Sequence, residues 1–211
     1  MIKRFIFDLD GTLLHCDFEK ERQYFRSALP KEDAEKFIDT FIYHLYDFEE
    51  KYLQYNIKKL SEYLSGKMGF FVSEEFIEKW IEVNTTCTDT LYDETVDILK
   101  YLKEKKYSLV VLTNWFYRTQ SARLLNKDIL KYFDNVYTGE IYTKPNKESY
   151  LNAIKGYKAS ECVMIGDNIK KDVLMPQSLG ITSFYYNPNN KEYDKKLIKS
   201  IDSFERIKEM Y

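Results

Sequence analysis

The chain has 211 residues, 44% of them hydrophobic and 31% charged, with a formal net charge of −2 and a pI near 5.9. Such a balance gives no general attraction for a nucleic-acid polymer or an anionic membrane. No segment approaches the length of a membrane span, and Asp8 and Asp10 interrupt the first apolar run before a signal-peptide core forms. Cys16, Cys87 and Cys162 are far apart and in no metal-ligand spacing, so they read as free structural thiols in a reducing cytoplasm.

In chain order, the first predicted strand is Arg4–Phe7, nearly continuous in apolar residues, as strands covered on both faces are. It runs into Asp8-Leu9-Asp10-Gly11-Thr12, two carboxylates followed by a pair that a continuing strand would rarely want. Residues Asp17–Thr86 hold no comparable run and are helix-periodic instead. Phe37, Phe41, Leu45, Phe48 and Tyr52 form one stripe behind Pro30 as helix opener, and Ser73 caps a helix that turns Phe76, Ile77, Trp80 and Ile81 inward. That stripe is read as the insert's own core in preference to a ligand box.

Alternation then sets in. A helix is predicted over Glu94–Lys105, a strand over Ser108–Leu112, a weaker one over Asn135–Tyr137, and a helix over Lys147–Lys155. A strong strand at Glu161–Ile165, a weaker one at Thr182–Tyr186, a polar loop, and a short element with a helix within Ser200–Tyr211 complete the chain. The order predicts an α/β fold: a doubly wound parallel-sheet, Rossmann-like core of residues 1–15 and 88–211, with an all-helical cap inserted at 16–87.

Ligands of open parallel sheets sit at the carboxyl ends of the strands. Those ends read Asp8–Thr12, Thr113-Asn114, and Gly166-Asp167-Asn168 with Asp172 following, while Lys144 stands just before Pro145 ahead of a helix. Two carboxylates about 5 Å apart repel by roughly 3 kcal/mol at an effective dielectric of 20. Up to four in one crevice demand a countercharge, which hard oxygen ligands identify as Mg²⁺, assisted by Lys144. Asp8 and Asp10 share a strand face, and Gly11 lets the chain turn so that both meet the opening. Asp8 is then placed as an in-line nucleophile on phosphorus, and Asp10 as acid toward the leaving group and base toward water.

"DLDGT", "LTN", "KPN" and "GDNIKKD", in that order and at those separations, resemble the four signature motifs of the haloacid dehalogenase superfamily, in its phosphatase branch with a helical cap after the first motif. The resemblance implies Asp8 as nucleophile and Asp10 as acid/base, with Asp10 also giving a backbone carbonyl to Mg²⁺. It implies that Thr113 and the Asn114 amide hold the phosphoryl group, that Lys144 neutralises it, and that Asp167 ligates the metal. Asp172 would support the metal through water or orient Lys144. Two departures stand out: Leu174-Met175-Pro176-Gln177 where relatives often have Gly-Ala, and Trp115 where a small residue is more usual.

Asp10 argues against a dehalogenase, because a halide leaves without a proton. A sugar phosphomutase shares every core motif, and a receiver-like phospho-acceptor switch shares acids, hydroxyl and lysine around Mg²⁺. The large insert and Asp10 favour turnover of a small phosphorylated metabolite by a monomer or homodimer. Trp115, Phe116 and Tyr117 after Thr113 suit a flat base, and "TNWFYRTQSARL" resembles relatives that hydrolyse nucleoside monophosphates, so Trp115 joins Thr113, Asn114 and Lys144 as a substrate-binding expectation.

Overall fold

The computed structural model describes residues 1–211. Six strands form one parallel sheet in the order β5-β4-β1-β6-β7-β8, with β1 Arg4–Phe7, β4 Ser108–Leu112, β5 Asn135–Tyr137, β6 Cys162–Gly166, β7 Thr182–Tyr186 and β8 Ser200–Ile201. The fold is α/β and Rossmann-like. In register, Phe7 at the end of β1 lies beside Val111 of β4 and Ile165 of β6, so the three chains leave the sheet side by side. The strand order reverses around β1, which opens a crevice at their carboxyl ends.

Continuous apolar strands need cover on both faces, and the sheet has it. Phe5, Phe7, Leu109 and Val111 face α5 (Thr95–Glu104) and α9 (Glu205–Met210) through Ile98, Leu102 and Ile207. Ile6, Val110 and Met164 face α7 (Lys147–Ala153) through Tyr150 and Ala153.

Between β1 and α5 the chain departs into four helices: α1 Glu19–Ala28, α2 Lys31–Lys51, α3 Ile57–Met68 and α4 Glu74–Asn84. Ser73 caps α4 by accepting from the Phe76 amide at 3.0 Å, as its sequence predicts. Phe25, Phe37, Phe41, Phe48 and Trp80 bury their rings together, so the predicted stripe packs as a core of its own. Phe116, from the sheet side, joins that core. A two-residue antiparallel ladder, β2 Leu14–His15 against β3 Thr90–Leu91, ties the entry and exit of the insert together. His15 there is exposed and stacks on Tyr92 with ring centroids 3.5 Å apart. No helix of the chain is long and apolar enough to cross a membrane.

Candidate active site

Asp8 follows β1 directly, and its amide donates to Ile165 O at 2.9 Å, an extra ladder bond that carries the carboxylate past the sheet edge. Gly11 then takes φ +75°, where a Cβ would press into the Asp167 carboxylate; a side chain there fails on both backbone and space. Gly166 has the same closeness to Asp172. The sequence departure at Leu174–Gln177 begins where a widened turn over Ile169–Leu174 ends, with Met175 N–H donating to Lys170 O five residues back, and continues into α8 (Met175–Ser178). Widened turns of this kind gather at functional sites. Here the turn seats Asp172 with no exposure and lets its Oδ2 accept from the Asn168 amide at 3.0 Å.

Lys144 Nζ lies 2.7 Å from both Asp8 Oδ1 and Asp172 Oδ1, and all three residues are buried. Asp8, Asp167 and Asp172 each bring a carboxylate oxygen within 4.8 Å of the others. Two buried acids, a half-buried third and one lysine leave negative charge uncompensated. Burial and the neighbouring Asp172 raise the Asp167 pKa to about 6. Asp8 is also pushed well up, by burial first, against the pull of Lys144. Burial opposes the charge on Lys144, yet Asp172 and Asp8 hold its pKa above the ordinary lysine value. A set of hard oxygens with excess charge fits a divalent cation of the Mg²⁺ type.

The carboxylate of Asp10 stands outside that trio. Arg123 Nη1 lies 2.6 Å from its Oδ1, the Cys16 thiol donates to Oδ1 at 3.0 Å, and Gln120 Nε2 donates to Oδ2 at 3.0 Å. Burial favours the neutral acid, but Arg123 first, then Cys16 and Gln120, outweigh it and lower the pKa. Thr113 Oγ1, 1% exposed, accepts from the same Gln120 amide at 3.0 Å. The side chain of Asn114 braces the lysine loop: Nδ2 donates to Lys144 O at 3.0 Å and Oδ1 accepts from Lys144 N at 2.7 Å.

Trp115 takes φ +74°, a region that costs a non-glycine residue on the order of 1 to 3 kcal/mol. Its ring is held 4.5 Å from Trp80 and 5.3 Å from Tyr55, both in the core that the insert builds, so it joins the crevice to that core. The crevice has a volume of about 620 Å³. Asp8, Asp10, Thr113, Asn114, Trp115, Lys144, Asp167 and Asp172 all line it, together with Arg22 and Tyr46 of the insert.

Sequence reasoning passed over Gln120, Arg123 and Asp89, and read Cys16 as purely structural. The available signal was weak: two polar residues three apart on α6 (Tyr117–Asn126), the helix that follows Thr113. It also missed Lys171, whose ammonium pairs with Glu49 of α2 and lies 3.9 Å from the Tyr46 ring.

A parallel sheet whose carboxyl edge gathers aspartates, a lysine and a threonine under a helical insert defines an α/β hydrolytic enzyme. The particular family follows by comparison: the haloacid dehalogenase-like hydrolases match residues 2–180, and the chain belongs to that family. It is 26% identical over 205 residues to pyrimidine 5'-nucleotidase PynA of Streptococcus pneumoniae, covering 90% of this chain and 86% of that protein. It is 26% identical over 224 residues to glyceraldehyde 3-phosphate phosphatase of Methanocaldococcus jannaschii, covering 95% and 94%. Its fold matches that of Bacillus subtilis YfnB bound to magnesium, with TM-score 0.71, 20% identity and coverage of 99% and 98%.

Proposed function

We propose that the chain is a Mg²⁺-dependent phosphatase of small phosphomonoesters that works through an aspartyl phosphate on Asp8, with residues 16–87 as the cap over the crevice. The observation that carries this reading is the Lys144 bridge between Asp8 and Asp172: it leaves Asp8 Oδ2 free of hydrogen bonds at the floor of the crevice. Asp8 Oδ2 attacks phosphorus as the bond to the leaving oxygen breaks, and Asp10 gives that oxygen its proton, from the minor protonated fraction that Arg123, Cys16 and Gln120 leave to it. Asp10 then takes a proton from the water that attacks the phosphorus of the acyl phosphate, which frees inorganic phosphate and restores Asp8. Thr113 and Lys144 hold the phosphoryl oxygens during both displacements. Asp8, Asp167, the Asp10 carbonyl and, at one remove, Asp172 would hold Mg²⁺, whose charge would offset that gathering on the phosphoryl group.

The metal assignment has a direct check. Asp167 and Asp8 have folded pKa values above those of an unfolded chain, so the native state binds more protons. Their contribution to stability is greatest below the ordinary aspartate value of 3.8 and, for Asp167, is lost as pH rises through about 6. Mg²⁺ can replace those protons only once the carboxylates ionise. Thermal melts are expected to show a Mg²⁺-induced rise near pH ~7.5 and almost none near pH ~5. In Asp167→Ala the rise is expected to shrink. Equal shifts at both pH values, or an unchanged response in Asp167→Ala, remove the trio from the metal site.

For substrate, we favour nucleoside monophosphates. Trp115, Trp80 and Tyr46 line the wall with flat rings, and the Trp115 indole N–H and one Glu21 oxygen are shielded there without a hydrogen-bond partner. A base supplies a ring face together with donors and acceptors; a buried indole N–H ordinarily finds such a partner. The likeness to PynA supports the same reading, and the likeness to glyceraldehyde 3-phosphate phosphatase names the competing class. Nucleoside monophosphates are expected to exceed sugar phosphates in kcat/KM, and Trp115→Ala to narrow the gap. A panel in which sugar phosphates lead, and Trp115→Ala leaves the ranking unchanged, retains the phosphatase and discards the nucleotide.

A further inference from the structure

Both oxygens of the Asp10 carboxylate are held from one helix face. Gln120 and Arg123 stand three residues apart on α6, and such pairs share a side of a helix. One reaches Oδ2 at 3.0 Å and the other Oδ1 at 2.6 Å, so the plane of the carboxylate is fixed by two donors on a rigid support. Arg123 is 5% exposed and is itself held from behind. Its Nε lies 2.6 Å from Asp89 Oδ2, and its Nη1 donates to Gln120 Oε1 at 2.9 Å. Asp89, 1% exposed, accepts the backbone N–H of Asp17 at 3.0 Å through its other oxygen. Asp17 and Asp89 flank the β2–β3 ladder on the two strands that join the insert to the sheet. A continuous series of charged hydrogen bonds therefore runs from Asp10 through Arg123 and Asp89 to both connections of the insert.

The phosphoryl chemistry derived above uses neither Gln120 nor Arg123. A buried guanidinium between two carboxylates is an expensive feature to maintain unless its geometry matters, because loss of one partner strands the others in low dielectric. Arg suits the task where Lys would not: its planar fork meets both acids at once, whereas an ammonium is a point charge.

We propose that Gln120 and Arg123 are the positioning residues of the acid/base group, setting the direction in which Asp10 presents its oxygens to the leaving group, with Asp89 linking that setting to the strands that carry the insert. The inference rests on the acid/base role given to Asp10 in the proposed function.

The test reads the first turnover by rapid quench, with Mg²⁺, on two esters. p-Nitrophenyl phosphate has a leaving group that departs without a proton; an unactivated alkyl phosphate has one that needs it. Gln120→Leu removes the amide without stranding a charge, and Arg123→Lys keeps the charge without the fork. Each is expected to slow release of the alcohol by about ten- to a hundredfold, the worth of a hydrogen bond to a charged group. Release of p-nitrophenolate should fall by less than about threefold, since that step needs no acid. The substrate concentration at half-maximal rate should stay unchanged. On an Asp10→Asn background, Gln120→Leu is expected to cause no further loss, because the carboxylate through which it acts is gone. Asp89→Asn, nearly isosteric, is expected to reproduce the selective loss and serves as the second variant should Arg123→Lys fail to fold in a thermal melt.

Equal losses on the two esters, or a full additional loss on the Asp10→Asn background, overturn the inference and leave Gln120 as a brace of Thr113. Wild-type behaviour of both Arg123→Lys and Asp89→Asn overturns the part assigned to Arg123. A wild-type chain that turns over neither ester brings down the phosphatase reading instead, and an Asp8→Asn chain that turns over both brings down the aspartyl-phosphate mechanism on which the acid/base role rests.

Discussion

Asp8→Asn is expected to remove turnover altogether on every phosphomonoester the wild type accepts. An amide oxygen is a far weaker nucleophile than a carboxylate, and the neighbouring acids are committed elsewhere: Asp172 is held by Lys144 and the Asn168 amide, Asp10 is held by α6, and Asp167 is assigned above to the cation. The fold should survive, because the substitution keeps the shape and the strand-end amide still bonds to Ile165 O. Folding can even gain, since the variant no longer has to ionise a buried acid beside Asp167 and Asp172. The check is steady-state rate with a thermal melt on the same preparation. A variant that retains even about a tenth of the wild-type rate would contradict covalent catalysis, in which loss of the nucleophile costs many orders of magnitude.

Asp10→Asn is expected to separate the two halves of the reaction. Asparagine cannot give up or accept the proton, so hydrolysis of the aspartyl phosphate loses its base and slows by about 10² to 10⁴-fold. An aryl phosphate should still label Asp8, because its leaving group needs no acid, and the labelled protein should accumulate to detection by intact mass. The structure adds a structural cost. Arg123 would then face Asp89 as its one remaining carboxylate, so some loss of stability is expected alongside the loss of rate. Equal slowing on activated and unactivated esters with no trapped intermediate would take the proton-transfer role away from Asp10.

How much of this was legible in advance follows from the kind of element each residue occupies. Asp8, Thr113 and Asp167 were readable because the ends of neighbouring parallel strands converge whatever the packing angles, Asp172 because it follows in the same motif, "GDNIKKD", and Lys144 because it precedes a proline in the gap between two such ends. The turn at Gly11 was readable as chemistry, but not its consequence, that the Asp10 side chain leaves the carboxylate trio for Arg123. A helix offers a different side every residue, and which side meets the site depends on how α6 lies on the sheet. Gln120 and Arg123 therefore stayed unmarked inside "TNWFYRTQSARL", with little in the sequence to single either out. Asn114 was expected at the phosphoryl group, while its side chain is engaged with both backbone polar atoms of Lys144; that pairing spans 30 residues and leaves no local trace. The Glu49–Lys171 pair was hidden for the same reason, its partners being 122 positions apart in the chain.

The two crowded glycines, Gly11 and Gly166, have a consequence for how such a chain can change over time. Neither position has room for a single added carbon, because each abuts a carboxylate of the trio. Drift at the strand ends is thereby closed off one methyl group at a time, before any question of chemistry arises. Tyr46 and Arg22, which line the crevice from the insert, are open to solvent and carry no such restriction. New substrates can thus be reached by altering the helical insert while the reacting groups stay as they are, so inheritance is conservative at the floor of the crevice and permissive at its roof.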